Sequence, residues 1–318
     1  MTRARLCFAV LLATGVLSPA ARAVPPMPDD KRIPAAITST LSAPTTQPMH
    51  MPTDVAIDSK GRAYVADGSH DRLLLFASNG SFQSSIPQFA DQKLNRPVGL
   101  TIDSADRLWI ADTGNHRLLL ISPEGSLLQR IPLPPTDKQR ACDPTGLAVT
   151  PDRSRTYLVD NDGNRVLIRD NATGNWTPMG SAGRRLGQFE WPFMITIGGE
   201  GYVFVTETIG SRVQIISPTD RWAGTIGSWG IEIGQLFRPK GITADAAGKI
   251  YVSDSTLGVV QVFGPRGAIE GVLTDDDGQP LRFAHPMGLR FGPDKRLYVV
   301  ELRANRVAVV TLKPRGGR

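Results

Sequence analysis

The sequence predicts an all-β fold: a six-bladed β-propeller of four-stranded antiparallel blades, in which an N-terminal strand completes the last blade. Turn-forming residues are dense, with 32 Gly and 25 Pro among 318 residues, and this disfavours long helices. A proline recurs every 45 to 48 residues, and an acidic residue and an arginine follow it in register. The apolar fraction of 41% is sufficient for a packed core.

The first 23 residues carry the pattern of a secretory signal peptide. Arg3 and Arg5 precede an uncharged run of twelve residues, 6–17, and small residues around Ala23 offer a cleavage site. The run is shorter than the roughly 18 residues that a membrane span requires. We therefore predict cleavage after Ala23 and a periplasmic or secreted protein with no membrane span; a buried helix and an uncleaved anchor are the alternatives.

Removal of this segment changes the composition. The remaining chain has 33 basic and 30 acidic residues, a net charge of +3, and one cysteine, Cys142. A surplus this small predicts no nucleic-acid binding, and a single thiol excludes an internal disulfide. We predict a Pro-rich linker over residues 24–31, one propeller domain over 32–312 and a basic tail over 313–318, in a monomeric protein.

The propeller prediction rests on an internal repeat of about 47 residues. Six units each begin with a proline: Pro52, Pro97, Pro144, Pro192, Pro239 and Pro286. Each proline precedes a small-apolar run, then a turn and a second apolar run that ends in an acid: Asp67, Asp112, Asp160, Glu207, Asp254 and Glu301. Five residues later stand Arg72, Arg117, Arg165, Arg212, Val259 and Arg306. Only the fifth unit breaks the pattern.

Each unit predicts four short strands bounded by turn residues. In the second unit we expect strands over residues 107–112, 118–121 and 126–131, after the strand that begins at Pro97. The sixth unit ends with a strand over residues 307–312 and lacks a fourth. Residues 33–38 precede Pro52 at about the distance at which other fourth strands precede their prolines, so we expect them to complete the sixth blade and cover its open edge.

The pattern of Pro-x-Gly, an apolar run ending in Asp, and an arginine five residues further on resembles the NHL repeat. Residues 187–192 and 234–239 also resemble its entry segment. The resemblance covers about residues 47–312 and implies the propeller fold. It leaves the function open, because propellers host both binding modules and enzymes.

The repeated acids and arginines, which we call the hairpin ladder, are interpreted as structural. They bracket every hairpin between the second and third strands, where a carboxylate accepts loop N–H groups and an arginine fork binds it bidentately. The ladder comprises Asp67, Arg72, Asp112, Arg117, Asp160, Arg165, Glu207, Arg212, Asp254, Glu301 and Arg306. Val259 predicts a looser hairpin in the fifth blade. The glycine that follows most repeat prolines predicts close backbone packing near the axis.

Positions that vary between blades are the candidates for recognition. Residues that flank the repeat prolines begin the innermost strands, so they should form a ring around one opening of the central channel. We call this ring the channel mouth. The candidate binding residues are Arg96, Asp143, Trp191, Phe193, Arg238, Lys240 and His285. With six blades, Arg96 should face Arg238, Asp143 should face His285, and Met51 should face Trp191. Cations beside aromatic anchors are typical of recognition surfaces, whereas a solvated ring without a ligand is the alternative.

Enzymatic interpretations find little support in the sequence. NHL-type amidating lyases hold zinc with histidines just after the repeat proline, and none of the six such positions here is histidine. His70 and His116 fall in hairpins; His50 and His285 belong to adjacent blades and form at most a pair, short of the three ligands typical of catalytic zinc. We predict no metal, no cofactor and no catalytic residue, and a structural role for Cys142. The leading hypothesis is a non-enzymatic propeller that binds a protein, or an acidic peptide or glycan. A metal-dependent lyase or lactonase is the alternative.

Overall fold

The structure is a computed structural model that describes residues 27–136 and 140–314. The predicted signal peptide, residues 24–26 of the predicted linker and residues 315–318 of the predicted tail lie outside the described residues. The cleavage site and the domain boundaries therefore stay predictions.

Strands make up most of the described chain. The strands of blades 1 and 2, with the N-terminal strand and a short pair between the blades, are β1 (Arg32–Leu41), β2 (Val55–Ile57), β3 (Ala63–Asp67), β4 (Arg72–Phe76), β5 (Phe82–Ile86), β6 (Gln88–Phe89), β7 (Gln92–Lys93), β8 (Pro97–Ile102), β9 (Leu108–Asp112), β10 (Arg117–Ile121) and β11 (Leu127–Pro132). Those of blades 3 and 4, again with a short pair between them, are β12 (Pro144–Val149), β13 (Arg155–Asp160), β14 (Arg165–Asp170), β15 (Trp176–Met179), β16 (Ser181–Ala182), β17 (Gln188–Phe189), β18 (Pro192–Ile197), β19 (Val203–Glu207), β20 (Arg212–Ile216) and β21 (Trp222–Ile226). Those of blades 5 and 6 are β22 (Pro239–Ala244), β23 (Ile250–Asp254), β24 (Val259–Phe263), β25 (Ile269–Thr274), β26 (Pro286–Phe291), β27 (Leu297–Glu301) and β28 (Arg306–Leu312).

The strands form four-stranded antiparallel units, and six such units lie within the described residues. Neighbouring innermost strands contact one another in turn, and β26 contacts β2, so the units close into a ring. The prediction of an all-β propeller with four-stranded antiparallel blades is confirmed. In the described ranges no helix is long and apolar enough to cross a membrane; short 3-10 turns occur at Asp29–Lys31, Gly68–His70, Thr113–Asn115 and Gly199–Gly201.

The N-terminal strand β1 completes blade 6 as predicted, and it also pairs with a strand of blade 5. It pairs antiparallel with β28, from Ala35 opposite Leu312 to Leu41 opposite Val307. Its first residues, 32–34, pair in parallel with β25 of blade 5. Blades 5 and 6 therefore share one eight-stranded sheet, and β1 joins the two blades as well as the two ends of the ring.

The prolines and glycines of the repeat set the geometry near the axis. Five of the six prolines are the first residues of innermost strands, where the missing N–H is tolerated. A Cβ on Gly99 would lie 1.9 Å from the carbonyl oxygen of Thr145 in the next blade, so only glycine permits this approach. Blade 1 has Asp54 at the corresponding position, and its Oδ2 accepts a hydrogen bond of 2.9 Å from Leu100 N.

The core lies between neighbouring blades. Between blades 1 and 2, for example, Leu73 packs with Leu100, Ile110 and Leu119, all fully buried. Each sheet thus covers its neighbour, and the faces of the ring are left to loops. Because the chain alternates direction along a blade, the hairpin between the second and third strands and the segment entering the next blade lie on one face. We call that entering segment the lead-in.

Candidate functional site

The hairpin ladder pairs each arginine with its acid. Arg72 Nε donates to Asp67 Oδ2 over 2.8 Å, and Arg117 Nε donates to Asp112 Oδ2 over 2.7 Å. The same pairing recurs at Arg165–Asp160, Arg212–Glu207 and Arg306–Glu301. The carboxylates are almost fully buried, so each charge is removed from water beside a cation.

The ladder also ties each hairpin to the lead-in of its own blade. The second oxygen of Asp112 accepts a hydrogen bond of 2.8 Å from Asn95 N, seventeen residues earlier. Arg117 Nη2 donates to Lys93 O over 2.7 Å. Arg72 and Arg117 therefore give their carboxylates one N–H rather than the bidentate fork we expected, because their remaining N–H groups bind elsewhere, largely to lead-in carbonyls.

The fifth blade satisfies its acid differently. The side chain of Val259 has no hydrogen-bond donor. Asp254 instead accepts four backbone N–H groups, from Phe237, Arg238, Thr256 and Leu257. The hairpin N–H groups thus replace the missing arginine at the carboxylate. Because position 259 is valine, the blade 5 lead-in has no contact equivalent to those that the ladder arginines of blades 1 to 4 make with their lead-ins.

A second set of contacts, which the sequence reasoning missed, fixes the channel mouth. The hairpin residue just before the ladder arginine has a left-handed backbone, as at Asp71 (φ 53°). Where this residue is Asp or Asn, its side chain accepts the N–H of a mouth residue in the next blade: Asp71 holds Arg96 N at 2.7 Å, and Asn164 holds Trp191 N at 3.0 Å. The recurrence of Asp or Asn, residues that tolerate this conformation, was the available sequence signal.

The candidate binding residues differ in exposure. Arg96 and Trp191 are exposed, Trp191 to 55%. The others are half-buried: Asp143, Phe193, Arg238, Lys240 and His285. The mouth therefore presents one large aromatic surface to solvent, with several charged groups set lower around it.

Cations gather where blades 5 and 6 meet at the mouth. Lys240 Nζ lies 4.1 Å from the ring centroid of Phe193, a favourable cation–π geometry. Burial, together with the charge of Arg238, lowers the pKa of Lys240 to about 8. Burial, Arg303 and Lys240 together lower the pKa of His285. In the part of the chain that the structure describes, neither Arg238 nor Lys240 forms an ion pair; Arg238 Nη1 donates to Thr208 O over 3.3 Å.

Asp143 lies in a different electrostatic setting. Burial and the neighbouring Asp162 raise its pKa, while Arg96 opposes that rise. The strongest charge effects on Asp143 come from Asp162 and Arg96, and those on His285 come from Arg303 and Lys240.

An apolar strip extends outward from the mouth over blades 4 and 5. Trp191 O accepts the N–H of Thr208, and the next residue, Ile209, is exposed. The Trp229 and Phe237 rings lie 6.1 Å apart, and Arg238 Cζ lies 5.6 Å from the Phe237 ring. Trp229 and Ile231 were not singled out from the sequence, because they stand several residues before the repeat proline.

Cys142 and the three histidines outside the candidate binding set, His50, His70 and His116, make contacts within the molecule. The His50 and His70 rings pack together at 5.8 Å, and His70 Nδ1 lies 3.0 Å from Asp67 Oδ2. His116 Nδ1 lies 2.8 Å from Cys142 O. Burial raises the pKa of the Cys142 thiol. Over residues 27–136 and 140–314, no three His, Cys, Asp or Glu side chains are grouped to hold a metal ion.

Two grooves lie away from the mouth, between neighbouring blades. One of about 370 Å³ separates blades 3 and 4 and is lined by Arg155, Met179 and Asp220, among others. Another of about 300 Å³ separates blades 1 and 2. Neither includes a candidate binding residue.

Comparisons with known proteins agree with the fold. The NHL repeat family model matches residues 94–119. A streptogramin B lyase structure superposes with a TM-score of 0.63 at 15% identity, covering 86% of this chain and 97% of that one. A gluconolactonase from Xanthomonas campestris gives 0.63 at 15% identity, covering 86% and 88%. An auxiliary nutrient binding protein from Bacteroides thetaiotaomicron gives 0.63 at 14% identity, covering 87% and 73%.

At these identities the likeness concerns the fold alone, and the three proteins include enzymes and a binding protein. No curated protein matches the chain at a significant level of sequence similarity.

Proposed function

This chain is an NHL-repeat β-propeller, and we propose that it is a non-enzymatic binding protein that recognises an acidic segment of a protein partner through the channel mouth. The observation that carries the proposal is the pair Arg238 and Lys240, two cations held beside aromatic rings without an ion-pair partner among the described residues. A carboxylate of the partner would contact both cations without displacing a carboxylate of the described chain from either of them.

The aromatic surface supplies the second part of the proposed recognition. Trp191 is large, rigid and exposed, and residues of this kind are enriched among those that dominate binding energy. Charged groups around such an anchor steer an oppositely charged partner and select against others. A free acidic peptide or an acidic glycan would use the same two features, so these ligands are outcomes that a binding experiment distinguishes.

The proposed compartment is the periplasm or the extracellular space. It rests on the signal-peptide pattern of residues 1–23, with cleavage after Ala23. The mature charge of +3 and the mixed signs around the mouth favour a protein partner over nucleic acid. We propose a monomer in the absence of the partner.

The proposal is tested by capture of a partner from native periplasm with the immobilised mature protein. The key variant is Arg96→Glu, Trp191→Ala, Arg238→Glu, which removes the aromatic anchor and reverses two mouth charges. The control is Lys60→Glu, Leu128→Ala, Lys295→Glu, three exposed residues outside the mouth. We expect the key variant to stay folded and to lose the partner, and the control to retain it. A folded key variant with unchanged affinity for the captured partner would overturn the assignment.

A metal-dependent lyase or lactonase is the second candidate function, favoured by the similarity of fold to a lyase and a gluconolactonase. Elemental analysis of the purified protein separates it from the binding proposal. Stoichiometric zinc or calcium that is lost in His285→Ala or Asp143→Ala supports the enzyme. A metal-free protein that binds an acidic protein segment supports the leading proposal.

A further inference from the structure

The lead-ins of blades 4 and 5, residues 180–191 and 227–238, share one framework. Glycines recur between them at a spacing of 47 residues. In each, a glutamine from the third strand accepts a glycine N–H: Gln214 Oε1 from Gly187 and Gln261 Oε1 from Gly234, both at 2.8 Å. The two segments are therefore a matched pair, and differences between them are informative.

The first difference is the arginine that anchors the segment. In blade 4, Arg212 donates to the carbonyl oxygens of Arg184, Arg185 and Gln188. In blade 5 the equivalent residue is Val259, which has no donor. Within the described ranges, no side chain donates to Ile231 O, the counterpart of Arg184 O. The turn of the blade 5 lead-in thus lacks the arginine anchor that its counterpart has, and keeps the glutamine contact that both share, from Gln261 Nε2 to Gln235 O.

The second difference is the surface that each segment exposes. Where blade 4 has Ala182 and Arg184, blade 5 has Trp229 and Ile231, which are 71% and 70% exposed. No other large apolar side chain in the described part of the chain is exposed to this extent. Adjacent exposed apolar side chains on a soluble protein are typical of an interaction site.

These side chains continue into the cationic part of the mouth. Trp229 packs near Phe237, and Phe237 lies under the guanidinium of Arg238. An extended segment lying across this strip would place a carboxylate at Arg238 and Lys240 and an apolar side chain on Trp229 and Ile231. The one acid of the lead-in itself, Glu232, is exposed beside this path and would oppose a purely acidic ligand.

We infer that the blade 5 lead-in is a docking arm for the apolar part of an acidic protein segment, and that the loss of its arginine anchor lets it adjust to that segment. The inference rests on the proposed function and specifies the partner: carboxylates alternate or mix with large apolar side chains. Lead-in 4, held by Arg212, serves as the rigid counterpart. Loop rearrangement on binding occurs in a substantial minority of protein complexes.

The test uses two fluorescent peptides of equal charge, one alternating Glu with Leu and the other alternating Glu with Ser. We expect the mature protein to bind the Glu–Leu peptide about tenfold more tightly, because a central apolar contact commonly contributes an effect of that size. Trp229→Ala combined with Ile231→Ser should abolish this preference and leave the Glu–Ser affinity unchanged. Leu186→Ala, on the anchored lead-in, is the control and should keep the preference.

The variant Val259→Arg tests the missing anchor, because Asp254 already stands opposite that position. We expect amide hydrogen exchange over residues 227–238 to slow and the preference for the Glu–Leu peptide to fall. A double variant at Trp229 and Ile231 that binds both peptides as the wild type does, while Arg238→Glu weakens both, overturns this inference and leaves the proposed function standing. Loss of binding to phosphatidylglycerol vesicles alone in the double variant would also overturn it, since the occupant would then be a lipid surface.

Discussion

The hairpin ladder and the channel mouth lie on the same face of the propeller, a few residues apart, yet they obey different rules. The ladder repeats in blade after blade, and its charges are buried and satisfied within the molecule. The mouth differs from blade to blade, and its side chains are exposed or half-buried; the backbone N–H groups of Arg96 and Trp191 are held by the neighbouring hairpin. The contrast teaches that blade geometry dictates the first set and leaves the second free for recognition.

The largest expected effect concerns the strand that closes the ring. Deletion of residues 24–40 removes most of β1 and leaves unpaired edges on β28 and β25. We expect the melting temperature to fall by more than about 10 °C, since several kcal/mol of packing and pairing are lost. Thermal melting followed by circular dichroism measures this, and an unchanged curve would show that β1 does not stabilise the ring.

The variant Arg117→Val removes the arginine of the hairpin ladder from blade 2 and gives this position the residue that blade 5 has. Among the described residues, Asp112 lacks the hairpin N–H groups that satisfy Asp254, and accepts only Asn95 N, Asn115 Nδ2 and Arg117 Nε. The variant therefore leaves a buried carboxylate short of a partner, and we expect a loss of about 3 kcal/mol in unfolding free energy. Urea denaturation measures it.

The matched control neutralises the acid as well. Arg117→Val combined with Asp112→Asn removes the uncompensated charge and should recover part of the lost stability. Partner binding should be retained by both variants as long as they are folded. If Arg117→Val alone is as stable as the wild type, the hairpin ladder does not stabilise the fold.

Much of the fold follows from the sequence because its causes are local and repeated. The prolines mark the first residues of β8, β12, β18, β22 and β26, and the expected strand over residues 118–121 differs from β10 by one residue. Pairing of β1 with β25 was not predicted, because no local pattern specifies a parallel contact between segments that far apart. The short strands β6, β7, β16 and β17 were missed because a strand of two residues is too short to show a periodic pattern.

The candidate site is less readable from sequence. Proximity to the proline identified Arg238, Lys240 and Trp191, but the packing of Lys240 on Phe193 depends on two different blades. Trp229 and Ile231 were not predicted because they stand several residues before the repeat proline. In addition, exposure is a property of the folded chain, and apolar residues in a strand-rich sequence predict burial. Whether these residues bind a partner stays a prediction.

At the mouth, Trp191→Ala should act on binding and leave stability unchanged. The side chain is largely exposed and outside the blade interfaces, so we expect a change in unfolding free energy within about 0.5 kcal/mol. Loss of a rigid aromatic contact should weaken partner affinity by about 2 kcal/mol. Calorimetric titration and urea denaturation on the same preparation separate the two, and Leu128→Ala is the control for an exposed apolar residue elsewhere.

The smallest expected effect is a pH dependence from Lys240, whose pKa is lowered to about 8. Below this pH the ammonium is charged and attracts a carboxylate; as pH rises through about 8 the proton is lost and affinity should fall by a few-fold. Lys240→Arg should remove the pH dependence, because a guanidinium stays charged. If the affinity of the wild-type protein does not change between pH 7 and pH 9, Lys240 does not contact the anion.

The same lowered pKa has a consequence for stability. Between about pH 8 and pH 10.5, where a lysine in the unfolded chain ordinarily titrates, the unfolded chain binds more protons at Lys240 than the folded chain does. Unfolding free energy should therefore rise with pH over that window. Lys240→Met should lack this contribution in parallel pH-dependent denaturation series.

The central claim is that recognition belongs to the variable mouth while the repeated ladder is scaffold. Amide hydrogen exchange of the mature protein, with and without its captured partner at saturation, tests it most directly. We predict that binding protects residues 180–191 and 227–238, together with the ends of the innermost strands that follow them. Protection confined to the opposite face, around residues 58–62 and 103–107, or to the grooves between blades, would contradict the account.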